Sequence, residues 1–215
     1  DTLSSFDVGS SLTVKAVGHT AGMALTGNVT ATSVDIATGN GALILGNYNI
    51  TGTSGNVSLT GLGVTQGTTS NITASGAVYV YGFDYNNGNN RGVINLQGNI
   101  VAGSTSDSSV FIHGFSNAIL GNITAGTSAT RGGLTIGDDS YFNTTNGGNN
   151  YWNWFTGTVT QNTGTTIKVG RLYMRARDAS SGSGAINLTN PNNEFRAVDR
   201  ILRYGSFSIF DADTE

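Results

Sequence analysis

Short runs in which an apolar residue alternates with Thr, Ser or Asn, bounded by Gly or Asn, follow one another along the chain. They are Leu12–Val17, Met23–Leu25, Val29–Ile36, Leu43–Leu45, Tyr48–Thr51, Val57–Leu59, Ile72–Ala74, Val78–Tyr81 and Val93–Leu96. A period of two puts one set of side chains on a buried face and the other on a polar face, so each run predicts a β-strand. No stretch joins a 3.6-residue period to helix caps, and 32 Gly in 215 residues would penalise any helix. The runs are too short to bury their own faces, which predicts that they stack on one another. The predicted inward set is Leu12, Val14, Val29, Leu43, Leu45, Val57, Leu59, Ile72, Val78, Val80, Ile94, Leu96, Ile123, Leu134, Ile136, Val159, Ile167, Leu172, Ile186 and Leu188.

The pattern also repeats over a longer distance. VTQGTTSNITASGAVYVYG from Val64, a polar loop and VINLQ return as VTQNTGTTIKVGRLYMRA from Val159, a polar loop and AINLT. Ala24–Ala31 returns as Ala118–Ala125 and Gly41–Gly46 as Gly132–Gly137, while Ser11–Val14, Ser109–Ile112 and Ser206–Ile209 set a third register. The offset of about 91 to 98 residues predicts one continuous solenoid over 1–215, with unit one at 11–108, unit two at 109–205 and a third unit begun at 206–215. At roughly 20 to 25 residues per rung the chain makes about nine rungs. Such a chain, starting at Asp1 and stopping inside a period, is expected to continue into further copies or to stack end to end.

The Gly-Asn pairs at 27–28, 46–47, 55–56, 98–99 and 121–122 fall where strands end and are expected at corners, since both residues tolerate left-handed backbone and Asn bonds local backbone. Asn28, Asn71 and Asn122 also carry the Asn-x-Thr glycosylation pattern, which a chain rich in Asn and Thr produces by chance. The loops Asp84–Arg91 and Asp178–Gly184 hold equivalent places in the two copies and are expected to protrude on one side.

Composition narrows the function. Only 11% of residues are charged, the net charge is −3 and Lys15 and Lys168 are the sole lysines, so there is no basic footprint for nucleic acid. No run of eighteen apolar residues predicts a membrane span, and there is no cysteine to form a disulfide.

VTQNTGTTIKVG followed by GAINLTNPNNEF, with GNVTAT and GNITAG, resembles the filamentous-haemagglutinin-like family of large repetitive bacterial surface proteins. The motif residues are Val159, Thr160, Gln161, Ile167, Gly170, Ile186, Leu188, Thr189, Asn190, Asn193 and Phe195; the first copy departs from them with Gln97 and Gly98 after Leu96. The resemblance implies a right-handed parallel β-helix, export to the cell surface, and a non-enzymatic role in adhesion or fibre building. Its partners would be a glycan or a host or cell surface, or further copies of the same repeat, with no cofactor.

Candidate chemistry is sparse. The cluster Tyr151-Trp152-Asn153-Trp154-Phe155 offers aromatic rings of the kind that stack on sugars, although Trp152 and Trp154 align with the inward Val57 and Leu59; Tyr141, Tyr151, Trp152 and Trp154 are the candidate ligand-binding residues. A polysaccharide-active β-helix enzyme would need clustered carboxylates or basic groups, for which Asp138-Asp139, Asp84 with Arg91, and Arg171, Arg175 and Arg177 with Asp178 are the available sets. His19 and His113 lack a second ligand at zinc spacing, and Asp211, Asp213 and Glu215 alternate as a weak calcium set. Thr-x-Thr pairs at 30–32, 51–53 and 156–158 suggest ice binding, a reading set aside because they do not recur at rung spacing. Three functions remain: an adhesin stalk, a self-assembling extracellular fibre or sheath, and a polysaccharide-active enzyme.

Overall fold

In the computed structural model, residues 1–16, 20–84, 90–106, 109–127, 129–137, 157–176, 185–202 and 207–212 are described. All their regular elements are strands, and every pairing between strands is parallel. The chain is a β-solenoid.

Three strands alternate around each turn. β1 (Thr2–Leu3), β2 (Phe6–Asp7) and β3 (Leu12–Ala16) are followed by β4 (Met23–Leu25), β5 (Val29–Ala31) and β6 (Val34–Thr38). Then come β7 (Leu43–Gly46), β8 (Ile50–Gly52) and β9 (Val57–Thr60), and β10 (Val64–Gln66), β11 (Asn71–Ala74) and β12 (Val78–Tyr81). Farther along, neighbouring strands fuse across a corner: β13 (Val93–Ala102), β14 (Val110–His113), β15 (Asn117–Ala125), β16 (Gly133–Ile136), β17 (Thr158–Gln161), β18 (Ile167–Ala176), β19 (Ala185–Leu188), β20 (Glu194–Leu202) and β21 (Phe207–Ile209). Each strand pairs with its equivalent one turn on, which makes three ladders. The first runs from β1 through β4, β7 and β10 to β21, the second begins at β2, and the third at β3.

The alternation fills the interior with stacked columns of like residues. Val29, Ile50, Ile72, Ile100, Ile123 and Ile167 pair in succession along the second ladder. Val34, Val57, Val78, Val110, Leu134 and Leu172 do the same along the third. Each is fully or almost fully buried, and burying such a side chain contributes about 1.5–3 kcal/mol. Every predicted inward residue is buried except Leu12 and Val14, which are half-buried because β3 has a partner strand, β6, on one side only.

The corners depart from the sequence reading in their mechanism. Of the five Gly-Asn glycines only Gly46 has a positive φ, at 57°. Gly98 and Gly121 are needed instead for close approach: a Cβ on Gly98 would lie 2.2 Å from Ser70 O, and one on Gly121 would lie 2.4 Å from Gly98 O. The asparagines bond across turns, not locally. Asn28 Oδ1 accepts from Asn49 N at 2.9 Å, and Asn49 Oδ1 accepts from Asn71 N at 2.9 Å. Asn71 Oδ1 accepts from Asn99 Nδ2 at 2.7 Å, Asn99 Oδ1 from Asn122 Nδ2 at 2.9 Å, and Asn122 Oδ1 from Thr166 N at 2.8 Å. This asparagine ladder satisfies corner groups that the β-ladder leaves open. It also accounts for the glycosylation pattern: an outward Asn at the corner, an inward aliphatic and an outward Thr together spell Asn-x-Thr.

The Val-Thr-Gln copies occupy equivalent ladders. Val64 and Val159, Ile72 and Ile167, Val78 and Leu172, and Ile94 and Ile186 lie respectively in the first, second, third and again the first ladder. Both glutamines fold back onto the carbonyl four residues on, Gln66 to Ser70 O at 3.1 Å and Gln161 to Thr165 O at 2.8 Å. In the second copy Asn193 completes the site, exchanging amide bonds with Gln161 at 2.8 and 2.9 Å and accepting from Ile167 N at 2.9 Å. The first copy, which departs there with Gln97 and Gly98, leaves Gln66 Oε1 buried without a partner among the described residues. By contrast, Gly41–Gly46 and Gly132–Gly137, matched by sequence, lie in the first and third ladders. Alternating strands resemble one another whichever side of the turn they occupy, so likeness of sequence does not fix the ladder.

The loop Asp84–Arg91 stands on an antiparallel bridge between Phe83 and Arg91, with Asp84 N donating to Asn90 O at 3.0 Å. Its tip, and the loop at 178–184, lie outside the described residues, as do His19, Arg177, Asp213 and Glu215.

Gln161→Leu should destabilise by about 1–3 kcal/mol, because it removes both amide bonds that the buried Asn193 exchanges with Gln161. Gln66→Leu should cost less, since it also removes an orphaned acceptor. Chemical denaturation of both variants tests this, and equal losses would contradict the assigned roles. Leu188→Asp, a charge in the core, should cost several kcal/mol, and an unchanged melting temperature would contradict its inward placement.

Candidate functional site

The candidate ligand-binding residues Tyr141, Tyr151, Trp152 and Trp154 lie outside the described residues. The last described residue before them, Gly137, donates its N–H to Ile112 O at 2.9 Å. Ile112 belongs to β14, and the outward side of β14 carries aromatic groups of its own.

Val78 and Val80 point inward from β12, and Val110 and Ile112 from β14, so Tyr79, Tyr81, Phe111 and His113 project outward. Parallel pairing then sets Tyr79 beside Phe111 and Tyr81 beside His113. The Tyr79 and Phe111 rings stack with centroids 4.7 Å apart and planes 16° from parallel, a separation equal to the spacing of neighbouring strands. Phe111 stacks on His113 at 5.4 Å, Tyr81 lies 5.6 Å from His113, and Phe83 meets Tyr81 edge-on at 5.5 Å. The Tyr79 and Tyr81 ring planes are parallel to within 3° with centroids 6.4 Å apart, the distance between alternate residues of one strand. His113 is only 2% exposed, whereas Tyr79, Tyr81, Phe83 and Phe111 are half-buried.

On the preceding turn Tyr79 and Tyr81 pair with Ser58 and Thr60, which are shorter than the rings. Beyond Phe111 the outward column continues through Thr135 to Tyr173 and Asp199. The Arg171 guanidinium lies 4.5 Å from the Tyr173 ring and its Nε donates to Asp199 Oδ2 at 2.5 Å. An aromatic surface bordered by the half-buried Ser58, with a paired cation farther along its column, can stack on the apolar face of a sugar ring.

Of the sets considered for catalysis, Asp84 and Arg171 are engaged in contacts within the solenoid. Asp84 is 1% exposed and receives the Asn40 side-chain amide on its carboxylate, at the foot of its loop. Asp211 Oδ1 accepts from Phe195 N at 3.0 Å, which uses the one described carboxylate of the calcium set as a backbone cap. Asp138 and Asp139 lie outside the described residues.

No family model, curated protein or solved structure matches the chain. The arrangement of its own residues therefore carries the functional reading. The aromatic column escaped the sequence reading because Tyr79 and Phe111 are neighbours only through a pairing across the Asp84–Arg91 loop. Aromatic outward positions in both Val-Tyr-Val-Tyr and Val-Phe-Ile-His were the available signal.

A second electrostatic feature lies on the second ladder. Glu194 binds Lys168 Nζ through Oε1 at 2.7 Å and Arg131 Nη2 through Oε2. Hydrogen bonds from Lys168 and then Arg131 hold its carboxyl below the ordinary 4.5. The folded state thus binds this proton more weakly than the unfolded chain does. Its contribution is present above pH 4.5 and is lost as pH falls through the lowered folded value. The wild-type melting temperature should accordingly drop more steeply than that of Glu194→Gln on acidification below pH 4.5. Parallel pH profiles for the two would contradict the ion-pair account.

Proposed function

We propose that the chain is a non-enzymatic structural segment of a secreted bacterial surface adhesin of the filamentous-haemagglutinin-like type, and that its stacked column Tyr79, Tyr81, Phe83 and Phe111 contacts glycans. The carrying observation is the outward stack itself. Solvent-facing aromatic surface gives no burial in the solenoid core, yet these rings are aligned on consecutive turns into one surface. Consecutive turns spaced by about 4.8 Å offer a linear saccharide a track along the rod axis. The Val-Thr-Gln and Ile-Asn-Leu-Thr-Asn motifs supply the resemblance to surface adhesins, and their glutamine and asparagine side chains act in the corners, as stalk-building residues would.

Glycan-array binding by the purified chain, followed by titration of any hit, tests this reading. Tyr79→Ala with Phe111→Ala should abolish binding while circular dichroism keeps the β-spectrum. Binding that survives the double variant, or depolymerisation of the glycan by the wild type, would overturn it.

A further inference from the structure

The outward side of the second ladder has a different character from the aromatic column. Thr30, Thr51 and Thr73 pair in succession, followed by Val101 and Thr124, with no register shift from β5 through β8 and β11 to the second halves of β13 and β15. Two residues to one side lies the asparagine ladder. Two residues to the other lie Thr32, Thr53 and Ser75, then Gly103 and Gly126. Each of the first three turns therefore reads Asn-x-Thr-small-Thr/Ser, and the Thr-x-Thr pairs at 30–32 and 51–53 do recur at the turn spacing. The sequence reading missed this because Ser75 replaces the third Thr and because Thr158 lies in the first ladder.

The second rank is anchored from turn to turn: Thr53 Oγ1 donates to Ala31 O at 3.2 Å and Ser75 Oγ to Thr53 O at 2.6 Å. The inward residues beneath are Ala31, Gly52, Ala74, Ala102 and Ala125, all buried. They hold the backbone close to the core. The result is a lattice of hydroxyls and methyls repeating about every 4.8 Å across turns and about 6.6 Å along each strand.

Chemistry limits what this face can bind. It carries no charge over five turns, so it offers nothing to a phosphate backbone. It lacks the aromatic, Met and Arg anchors of protein interfaces. It is a regular ladder, whereas small ligands take concave sites. The described cleft, about 270 Å³ between Gln161–Gly164 and Thr189–Pro191, lies on later turns, at the corner between the first and second ladders, and not on this face. What remains is a solid whose surface repeats on a similar scale and consists of hydrogen-bonding groups without charge.

We propose that the face formed by Thr30, Thr32, Thr51, Thr53, Thr73 and Ser75 binds ice. The hydroxyls take places in the surface hydrogen-bond lattice, while the threonine methyls favour ordered water between the ranks. Rigidity matters as much as chemistry, because a mobile array would forfeit its match to the crystal in ordering entropy. The asparagine ladder along one margin supplies that rigidity.

Ice-recrystallisation inhibition and thermal hysteresis of the purified chain are the direct assays. The wild type should show both, and Thr51→Lys should lose both while retaining its circular dichroism and melting temperature. Val101→Thr, which extends the hydroxyl rank, should increase activity, and Tyr79→Ala, on another ladder, should leave it unchanged. Absence of ice activity in the wild type would overturn the proposal, as would full activity in folded Thr51→Lys. A pull-down on crystalline cellulose serves as the alternative arm: retention there without ice activity would assign the face to a polysaccharide crystal instead.

Discussion

Register between successive turns is the constraint on which this molecule depends. A single turn buries almost nothing alone: Val29 or Val57 is shielded only because Ile50 and Val78 lie directly on the next turn. The parallel backbone ladder sets the spacing, and the asparagine ladder from Asn28 to Asn122 fixes the corner on every turn it crosses. A slip by one residue would send each aliphatic column to the outside and bring Thr and Asn into the core. Hence a weakly hydrophobic, glycine-rich chain specifies one arrangement.

The same register organises the surface. Side chains that alternate outward necessarily form columns along the rod, so one substitution pattern per turn becomes a continuous face. The third ladder displays rings in contact at 4.7 Å, and the second displays hydroxyls and methyls. Length differences between strands are absorbed at corners. The loop after Phe83 rests on its own antiparallel bridge, and Val64 still pairs with Ile94 beyond it. The two outward surfaces can thus change independently of the core and of each other.

Alternation made the strands, the stacking and most of the core legible from sequence, because burial in a solenoid follows directly from a period of two. Leu12 and Val14 pack against the core as the pattern predicts but are only half-buried, since neighbouring turns complete the burial. The corner asparagines were recognised, but their bonds were not: Asn49 and Asn71 are 22 residues apart, and only the fold makes them adjacent. For the same reason the aromatic column and the threonine ranks were hidden. Each residue was visible, while the pairing of Tyr79 with Phe111, or of Thr51 with Thr73, is a property of turn length.

Cysteine cross-linking between turns tests this register most directly, since the chain has no cysteine of its own. Thr51→Cys combined with Thr73→Cys places two thiols directly opposite on adjacent strands, within the reach of a disulfide. That pair should oxidise quantitatively and without loss of the β-spectrum. Thr51→Cys combined with Ser75→Cys sets them diagonally, about 7–8 Å apart, and should remain reduced. Failure of the first pair, or equal cross-linking of the second, would contradict the in-register stack from which both surfaces are built.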